Sequence, residues 1–264
     1  MVDLIVSINI YREKYFNRIL NEIETMVQDI NYKIIISCSN GDNMKYFIDN
    51  YKNDERIILN PKIIKKGRFH GSLTQGIISN MNYIKKEKIN YKYFFVISNR
   101  TILLEEMKIK KNVLTGNMEE YSSGFVGFES MSDIITRNNI LIEGCRERKL
   151  KKICNLNNGF NEDYPTIPVW STGPQHGPWH WSNWEKTKIY KKLSEGMIYG
   201  SYHEGLFFPM NSVLGILDFF KNNIELYIDT INYPTNMEEF VLQSLCVLKN
   251  LEFGNMKLRR FNYE

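Results

Sequence analysis

The sequence predicts an α/β fold, in which a mostly parallel central sheet is flanked by helices within one domain over residues 1–264. Four short runs of β-branched and aromatic residues have the continuous apolar character of strands covered on both faces. Between these runs, apolar residues recur at intervals of three and four, the period of a helix that packs on a sheet. Strands and helices alternating in this way predict parallel pairing through right-handed crossovers.

The first hundred residues supply the regular part of this pattern. Residues 4–10 read Leu-Ile-Val-Ser-Ile-Asn-Ile and predict the first strand. The further expected elements, in chain order, are a helix at 13–27, a strand at 32–37, a helix at 44–51, strands at 56–59 and 91–97, and between these two a helix at 72–84. Turn-forming and polar residues follow the strands. Because ligands of open parallel sheets bind at the carboxyl ends of the strands, those ends are the first candidate site.

The second half is less regular, and fewer elements can be assigned there. Gly-Leu-Phe-Phe-Pro at 205–209 predicts a strand, and Asn211 is the expected N-cap of a helix that runs to Phe220. Residues 237–248 predict a further helix. Residues 155–185 are rich in Asn, Gly, Pro and Trp and indicate an irregular loop.

Composition and charge exclude several classes of protein. Hydrophobic residues make up 43% of the chain and charged residues 24%, as in ordinary globular proteins. The net charge is +4, and most basic residues lie beside acidic ones in the sequence instead of forming a patch, so no nucleic-acid partner is expected. No apolar run approaches the roughly 20 residues of a membrane span, and the amino terminus lacks the basic region of a signal peptide. The four cysteines show no metal-ligand spacing, which is typical of reduced thiols and predicts a cytoplasmic location.

Three families of motif are absent from the chain. No Gly-x-Gly-x-x-Gly follows the first strand, where a dinucleotide would need close approach of the backbone. There is no Walker A sequence, and no Gly-x-Ser-x-Gly of a serine hydrolase. Nicotinamide-dependent redox chemistry, P-loop chemistry and serine hydrolysis are therefore disfavoured.

The first strand ends in Ser-Ile-Asn-Ile-Tyr at 7–11, the second in Ser-Cys-Ser-Asn-Gly-Asp at 37–42, and a stretch of glycines and polar residues from Asn60 to Ile77 opens the helix before the central strand. In these motifs and in the order of its elements, the segment 3–105 resembles the nucleotide-sugar glycosyltransferases of GT-A (Rossmann-like) fold. The resemblance implies a nucleotide-binding half at 1–105 and an acceptor-side half at 106–264. The donor-binding residues that it implies are Ser7, Asn9, Ser39, Asp42, Ser98, Asn99 and Arg100.

The chain departs from the family where the central strand ends. The family places Asp-x-Asp there to hold a divalent cation on the donor diphosphate, but this chain has Ser-Asn-Arg-Thr at 98–101. Either Ser98 and Asn99 contact the donor sugar or a weakly held ion, or protein cations neutralise the diphosphate without a metal. Lys257, Arg259 and Arg260 would supply such cations, which is similar to metal-independent core-2 N-acetylglucosaminyltransferases. We expect weak or no dependence on a divalent metal. For these basic residues, a solvated basic tail is the alternative.

An inverting transferase needs a general base to deprotonate the acceptor hydroxyl. Glu239 and Glu238 come first, because acidic residues are favoured in the opening turn of a helix and resemble the acidic pair of many such enzymes. Glu204 follows, beside an expected strand, and Asp163 comes last. Helix capping is the structural alternative for the pair.

The four tryptophans fall within residues 170–184 and suggest a platform for an acceptor sugar. The candidate acceptor-binding residues are Trp179, His180, Trp181 and His203. A folded aromatic loop is the alternative. A zinc site at His176 and His180 is disfavoured, because Pro178 interrupts a helix that would align the two imidazoles and no further ligand completes the set.

These observations predict transfer of a sugar from a nucleotide-sugar donor to a glycan or another hydroxyl acceptor, by inversion with a carboxylate base. A non-catalytic carbohydrate-binding or interaction module on the same fold is the first alternative. A nucleotidyltransferase is the second, although such enzymes need metal-binding acids that the strand ending at Ser98 lacks.

Overall fold

The computed structural model of the chain describes residues 1–10, 13, 16–26, 31–67, 70–98, 101–102, 187–193, 195, 203, 205–233, 237–255 and 259–260. Its first half follows the predicted alternation closely. The elements are β1 (Val2–Ile10), α1 (Phe16–Met26), β2 (Tyr32–Cys38), α2 (Gly41–Tyr51), β3 (Ile57–Asn60), α3 (Ser72–Lys86) and β4 (Tyr91–Ser98). Hydrophobic period alone located all seven, because each buries an apolar face.

The second half adds shorter elements. They are β5 (Thr101–Ile102), α4 (Lys188–Leu193), β6 (Leu206–Pro209), α5 (Met210–Asn222), α6 (Ile224–Asn232), a 3-10 turn (Met237–Glu239), α7 (Val241–Leu248), β7 (Gly254–Asn255) and β8 (Arg259–Arg260). The sequence did not predict α4 or α6.

The main sheet has six strands in the order β3-β2-β1-β4-β6-β7. The first four are parallel, whereas β6 runs antiparallel to β4 and β7 antiparallel to β6. The strands predicted at 4–10 and 91–97 are therefore neighbours in one sheet, and the predicted α/β class with a mostly parallel sheet is confirmed. A separate ladder joins β5 to β8 in antiparallel register.

Helices cover both faces of the sheet. One hydrophobic cluster contains Ile8 and Ile10 of β1 together with Phe16 of α1 and Phe47 of α2. The other contains Ile5 of β1 and the apolar residues of α3, α5 and α7. Alternate residues of β1 thus belong to different cores, as the period of two in a strand requires.

Two predicted helix starts are wrong. Asn211 is not an N-cap: Met210–Asn222 follows β6 directly, with Pro209 in the cap position at φ −57° and no side-chain cap. The helix predicted at 237–248 is divided into the 3-10 turn and α7, because buried Phe240 has a backbone φ of −142° between them. Glu238 and Glu239 therefore lie outside the first turn of α7, so the helix-dipole argument for them does not hold.

None of the helices in the described part of the chain has the length and apolar character needed to cross a bilayer.

Candidate functional site

The strand order changes direction between β1 and β4, since β2 and β3 lie on one side of β1 and β4 on the other. In open α/β sheets, the crevice outside the carboxyl ends of strands at such a switch point is where ligands bind. Four polar residues cross the sheet at that edge in one register: Asn60 of β3, Ser37 of β2, Asn9 of β1 and Ser98 of β4. We call these four residues the polar row.

Asn9 is the centre of the polar row and is 3% exposed. Its Nδ2 donates to the Leu73 carbonyl oxygen of α3 at 3.1 Å, while its Oδ1 has no hydrogen-bond partner among the described residues. A Cβ atom on Gly76 would overlap that Oδ1. The absence of a side chain at Gly76 therefore allows α3 to close over the end of β1.

Ser7 lies two residues before Asn9 on the same face of β1. It is 1% exposed, and its Oγ accepts from Asn80 Nδ2 at 3.0 Å. Asn80 Oδ1 in turn accepts from Asn60 Nδ2, which also donates to Ser79 Oγ, each at 2.9 Å. This buried network joins β1, β3 and α3. The Ser7 hydroxyl, which was predicted to bind the donor, is therefore hydrogen-bonded within the fold and has almost no exposed surface.

The end of β2 carries two predicted donor-binding residues. Ser39 Oγ donates to the Ile10 carbonyl oxygen at 2.6 Å, which ties the end of β2 to the end of β1. Asn40 Oδ1 accepts from Asn43 N at 2.8 Å and caps α2. Asp42 is exposed in the first turn of that helix, where the dipole favours a carboxylate.

A contact that the sequence did not single out lies beside these residues. Asn43 of α2 is 3% exposed and donates through Nδ2 to Glu13 Oε2 at 2.5 Å. Asn43 Oδ1 has no partner among the residues described. The contact places the partly buried carboxylate of Glu13 next to the carboxyl ends of β1 and β2. The sequence pattern had predicted only the start of a helix at this residue.

Lys66 is the other residue that sequence reasoning missed. It lies in the loop after β3, is 8% exposed, and donates through Nζ to the Ser37 carbonyl oxygen at 2.9 Å. Burial lowers the pKa of Lys66 to about 7, an effect that the Cys38 thiol partly offsets. Burial likewise raises the pKa of Cys38 to about 11. The sequence signal was slight: Lys65 and Lys66 are adjacent, and only the fold shows that the second is buried.

Beyond β4, the predicted arginine pair forms a strand of a separate two-stranded ladder. The pairs Thr101–Arg260 and Ile102–Arg259 form the β5–β8 ladder, and β5 begins three residues after Ser98. The backbone of the predicted arginine pair is thus adjacent to the segment that was expected to meet the diphosphate. Asn99, Arg100 and Lys257 lie outside the described residues.

His203 comes before β6 and is 6% exposed. Because β6 is antiparallel to β4, its first residues lie at the carboxyl end of β4, where Gly205 N donates to the Val96 carbonyl oxygen at 2.8 Å. Gly205 has φ 97°, a conformation that favours glycine. The predicted acceptor residue His203 therefore lies at the same edge as Asn9, whereas Glu204 is outside the described residues.

The predicted general base Glu238 is 2% exposed in the 3-10 turn, which lies against α3. The preceding segment meets the start of α3, where Gly71 N donates to the Tyr233 carbonyl oxygen at 2.9 Å. The backbone of Glu239 is in the same turn, and its side chain is not among those described. Asp163, Trp179, His180 and Trp181 also lie outside the described residues.

The edge therefore combines amides, hydroxyls, one buried amine and a few carboxylates. Within the described ranges, no group of three or more His, Cys, Asp or Glu residues is placed to hold a metal ion. Such an arrangement can hydrogen-bond a polyhydroxylated or phosphate-bearing ligand and can offer a carboxylate as a base.

Comparison with known proteins adds no family to these observations. No protein-family model matches the chain, and no curated protein is significantly similar to it.

Proposed function

We propose that this protein is a glycosyltransferase of GT-A-like architecture that transfers a sugar from a nucleotide-sugar donor to a glycan or another hydroxyl acceptor. The observation that carries the proposal is the convergence at one sheet edge. Asn9, Ser39, Ser98 and His203 were predicted from separate parts of the sequence, and they lie at the carboxyl ends of β1, β2 and β4. The Arg259–Arg260 strand pairs with β5, which begins three residues after Ser98.

In this proposal the donor nucleoside lies over the ends of β1 and β2. Asn9 and Ser39 supply amide and hydroxyl groups there. Asp42, in the first turn of α2, is exposed to solvent and would be accessible to the nucleoside. The diphosphate lies towards the end of β4. The nearby arginine strand β8 supports a role for protein cations in stabilising the leaving diphosphate, because charge-assisted contacts to phosphate are strong.

The acceptor hydroxyl would lose its proton to a carboxylate as its oxygen attacks the anomeric carbon, and the nucleoside diphosphate would leave from the opposite face. Glu238 is the described candidate for this base. It is 2% exposed and lies in the 3-10 turn that packs against α3. Glu239, Glu204 and Asp163 remain the alternatives for this role.

A non-catalytic carbohydrate-binding or interaction module is the second candidate. The observation that favours it is the segment Ser-Asn-Arg-Thr at 98–101, which has no carboxylate where the family holds its metal. A site that lost those acids and gained no replacement could bind a sugar nucleotide without turning it over.

The proposal includes a reducing, cytoplasmic location. Cys38 and Cys246 are free and buried, which agrees with such a compartment but is also common for structural cysteines.

A donor screen separates the two candidates. The purified protein is mixed with nucleotide sugars of different bases and sugars, and the melting temperature and donor hydrolysis are followed with and without EDTA. A glycosyltransferase should raise its melting temperature with one donor class and release the nucleoside diphosphate. Glu238→Gln should retain that binding and lose at least tenfold in turnover, since a positioned base contributes roughly 10²–10⁴-fold.

Binding without turnover over a broad acceptor panel would favour the module instead. Activity that EDTA abolishes and Mn²⁺ restores would show that the metal-free version of the mechanism is wrong. No response to any nucleotide sugar would contradict the proposal as a whole.

A further inference from the structure

Lys66 occupies an unusual position for a lysine. Its side chain is 8% exposed and extends from the loop after β3 over the carboxyl end of β2, where Nζ bonds the Ser37 carbonyl oxygen at 2.9 Å. Lysine is almost never buried without a partner of opposite charge. Among the described residues, no carboxylate forms an ion pair with Lys66.

The surroundings of the amine are polar and belong to the polar row. A Cβ atom built on Gly76 would lie 2.9 Å from Lys66 Cε and would also overlap Asn9 Oδ1. The lysine side chain and the Asn9 amide therefore both pack against α3 at Gly76. Asn9 Oδ1 and Ser37 Oγ are buried and have no hydrogen-bond partner among the described residues. Buried polar groups in native proteins are usually satisfied, and each exception calls for an explanation such as a catalytic role or a bound water or ion.

A buried amine of this kind responds strongly to charge at the neighbouring edge. Desolvation disfavours its charged form, whereas an anion nearby favours that form. The interaction is strong because the medium around Lys66 screens charge less than water does. The effect does not need direct contact, so an anion at the ends of β1 and β2 is enough.

We propose that Lys66 is the counter-charge of an anion-binding site at the carboxyl ends of β1 and β2, and that binding of a phosphate-bearing ligand there is coupled to uptake of one proton by this amine. The proton comes from the solvent, and no covalent bond forms between Lys66 and the ligand. For the identity of the ligand the inference rests on the proposed function, in which a nucleoside diphosphate group occupies this edge. Its lowered pKa, about 7, would let Lys66 respond within the neutral range.

Among the described residues, few other titratable groups lie around the amine. Cys38 on β2 is the titratable group that interacts with Lys66, and its thiol is uncharged in the neutral range because burial raises its pKa to about 11. Gly76 of α3 and Asn9 of β1 do not titrate. His70 packs against Gly67 at the start of α3, and Asp42 and Glu13 lie near the end of β2, as described above.

Sulfate is the probe for the test, because its charge is constant over the neutral range and any pH dependence then belongs to the protein. Its dissociation constant is measured by calorimetry at pH 6.5 and 8.5, in two buffers of different ionisation enthalpy, so that proton uptake is counted. We expect wild type to bind roughly tenfold more weakly at pH 8.5 and to take up close to one proton there.

Three variants complete the design. Lys66→Met should bind weakly at both pH values with no proton uptake. Lys66→Arg keeps the charge without titrating, and should bind equally at both. Lys62→Met, an exposed lysine of the same loop, should behave as wild type.

Sulfate binding that is unchanged in Lys66→Met, or binding in wild type with no pH dependence and no proton uptake, would overturn the inference. So would the absence of sulfate binding at any attainable concentration. This test does not depend on turnover. Proton-coupled sulfate binding with no response to nucleotide sugars would support the anion site and contradict the glycosyltransferase proposal. A response to nucleotide sugars without proton-coupled sulfate binding would support the glycosyltransferase proposal and contradict the anion site.

Discussion

The two faces of β1 differ in composition although every residue from Leu4 to Ile10 is buried. Ile8 and Ile10 point into an apolar core with Phe16 and Phe47, whereas Ser7 and Asn9, on the other face, bond to α3. Burying a polar group is unfavourable unless it is hydrogen-bonded. The polar face therefore has to be held by hydrogen-bond partners, and it lies at a topological switch point, the position where ligands of open α/β sheets bind.

The largest expected effect tests the apolar face. Phe47→Ala removes a fully buried ring that packs edge-on against Phe16 at a centroid distance of 4.8 Å. We expect a loss of about 3–5 kcal/mol in the free energy of unfolding, because the cavity adds to the lost transfer free energy. Urea denaturation measures it, and ligand binding at saturating concentration should change little. Ile48→Ala, an exposed neighbour on α2, is the control and should lose much less.

The next effect tests the polar face through pH. The folded protein lowers the pKa of Lys66 from its ordinary value of 10.5 to about 7. Between pH 7 and pH 10.5 the unfolded chain binds a proton at Lys66 that the folded chain does not, so the free energy of unfolding of wild type rises with pH over this range. The destabilisation caused by burying the charged amine is therefore greatest below pH 7. Lys66→Met removes the penalty. It should be more stable than wild type by roughly 3 kcal/mol at pH 6, since each pKa unit corresponds to about 1.4 kcal/mol and relaxation reduces the total.

Denaturation with urea at pH 6 and at pH 9 checks this prediction. The advantage of Lys66→Met should shrink by roughly 2 kcal/mol at pH 9. Lys62→Met should show neither the stabilisation nor the pH dependence. A difference between Lys66→Met and wild type that is the same at both pH values would contradict the buried, titrating amine.

Gly76→Ala tests how closely α3 approaches the polar row. A Cβ atom there would overlap Asn9 Oδ1 and press on Lys66 Cε. We expect destabilisation of about 1–3 kcal/mol from overpacking, together with weaker ligand binding because Asn9 is displaced. Gly41→Ala, where a Cβ atom would meet nothing within 4 Å, should be nearly neutral or slightly stabilising. Thermal unfolding of the two variants, measured in parallel, decides the comparison.

The smallest effect concerns the helix cap at the end of β2. Asn40 Oδ1 accepts from the amide of Asn43 at 2.8 Å. Asn40→Ala should lower stability by about 1 kcal/mol, and Asn40→Ser should restore most of it, because serine caps as well as asparagine. Denaturation curves for the two variants are sufficient; equal stability of Ala and Ser at this position would show that the cap does not contribute.

Sequence reasoning succeeded where one physical period decided the outcome. Residues 72–84 read as a helix because Leu73, Ile77 and Ile84 share a face, and the structure places α3 at Ser72–Lys86. It failed where a tertiary contact overruled the local signal. Asn211 has the chemistry of a cap, yet α5 begins at Met210 because β6 leads straight into the helix. At Phe240 the backbone φ of −142° likewise breaks the helix, although the apolar period continues from Phe240 to Leu248.

The candidate site divides in the same way. Asn9, Ser39 and Ser98 could be proposed from sequence, since polar residues that follow buried strands meet at one edge of a parallel sheet. Glu13 and Lys66 could not, because their surroundings come from α2, β2 and α3, which are distant in the chain. A lysine in a loop is ordinary in sequence, and only its 8% exposure makes it a candidate.

By itself, then, the sequence determined the alternation of strands and helices, the parallel pairing of the first four strands and the polar ends of β1, β2 and β4, because hydrophobic period and turn chemistry are local properties of the chain. The tertiary structure alone decided that β6 enters the sheet antiparallel beside β4 and that the arginine strand β8 pairs with β5. It also decided that Lys66 is buried against Asn9 and Ser37. Those outcomes depend on which distant surfaces meet, and on the desolvation that follows when they do.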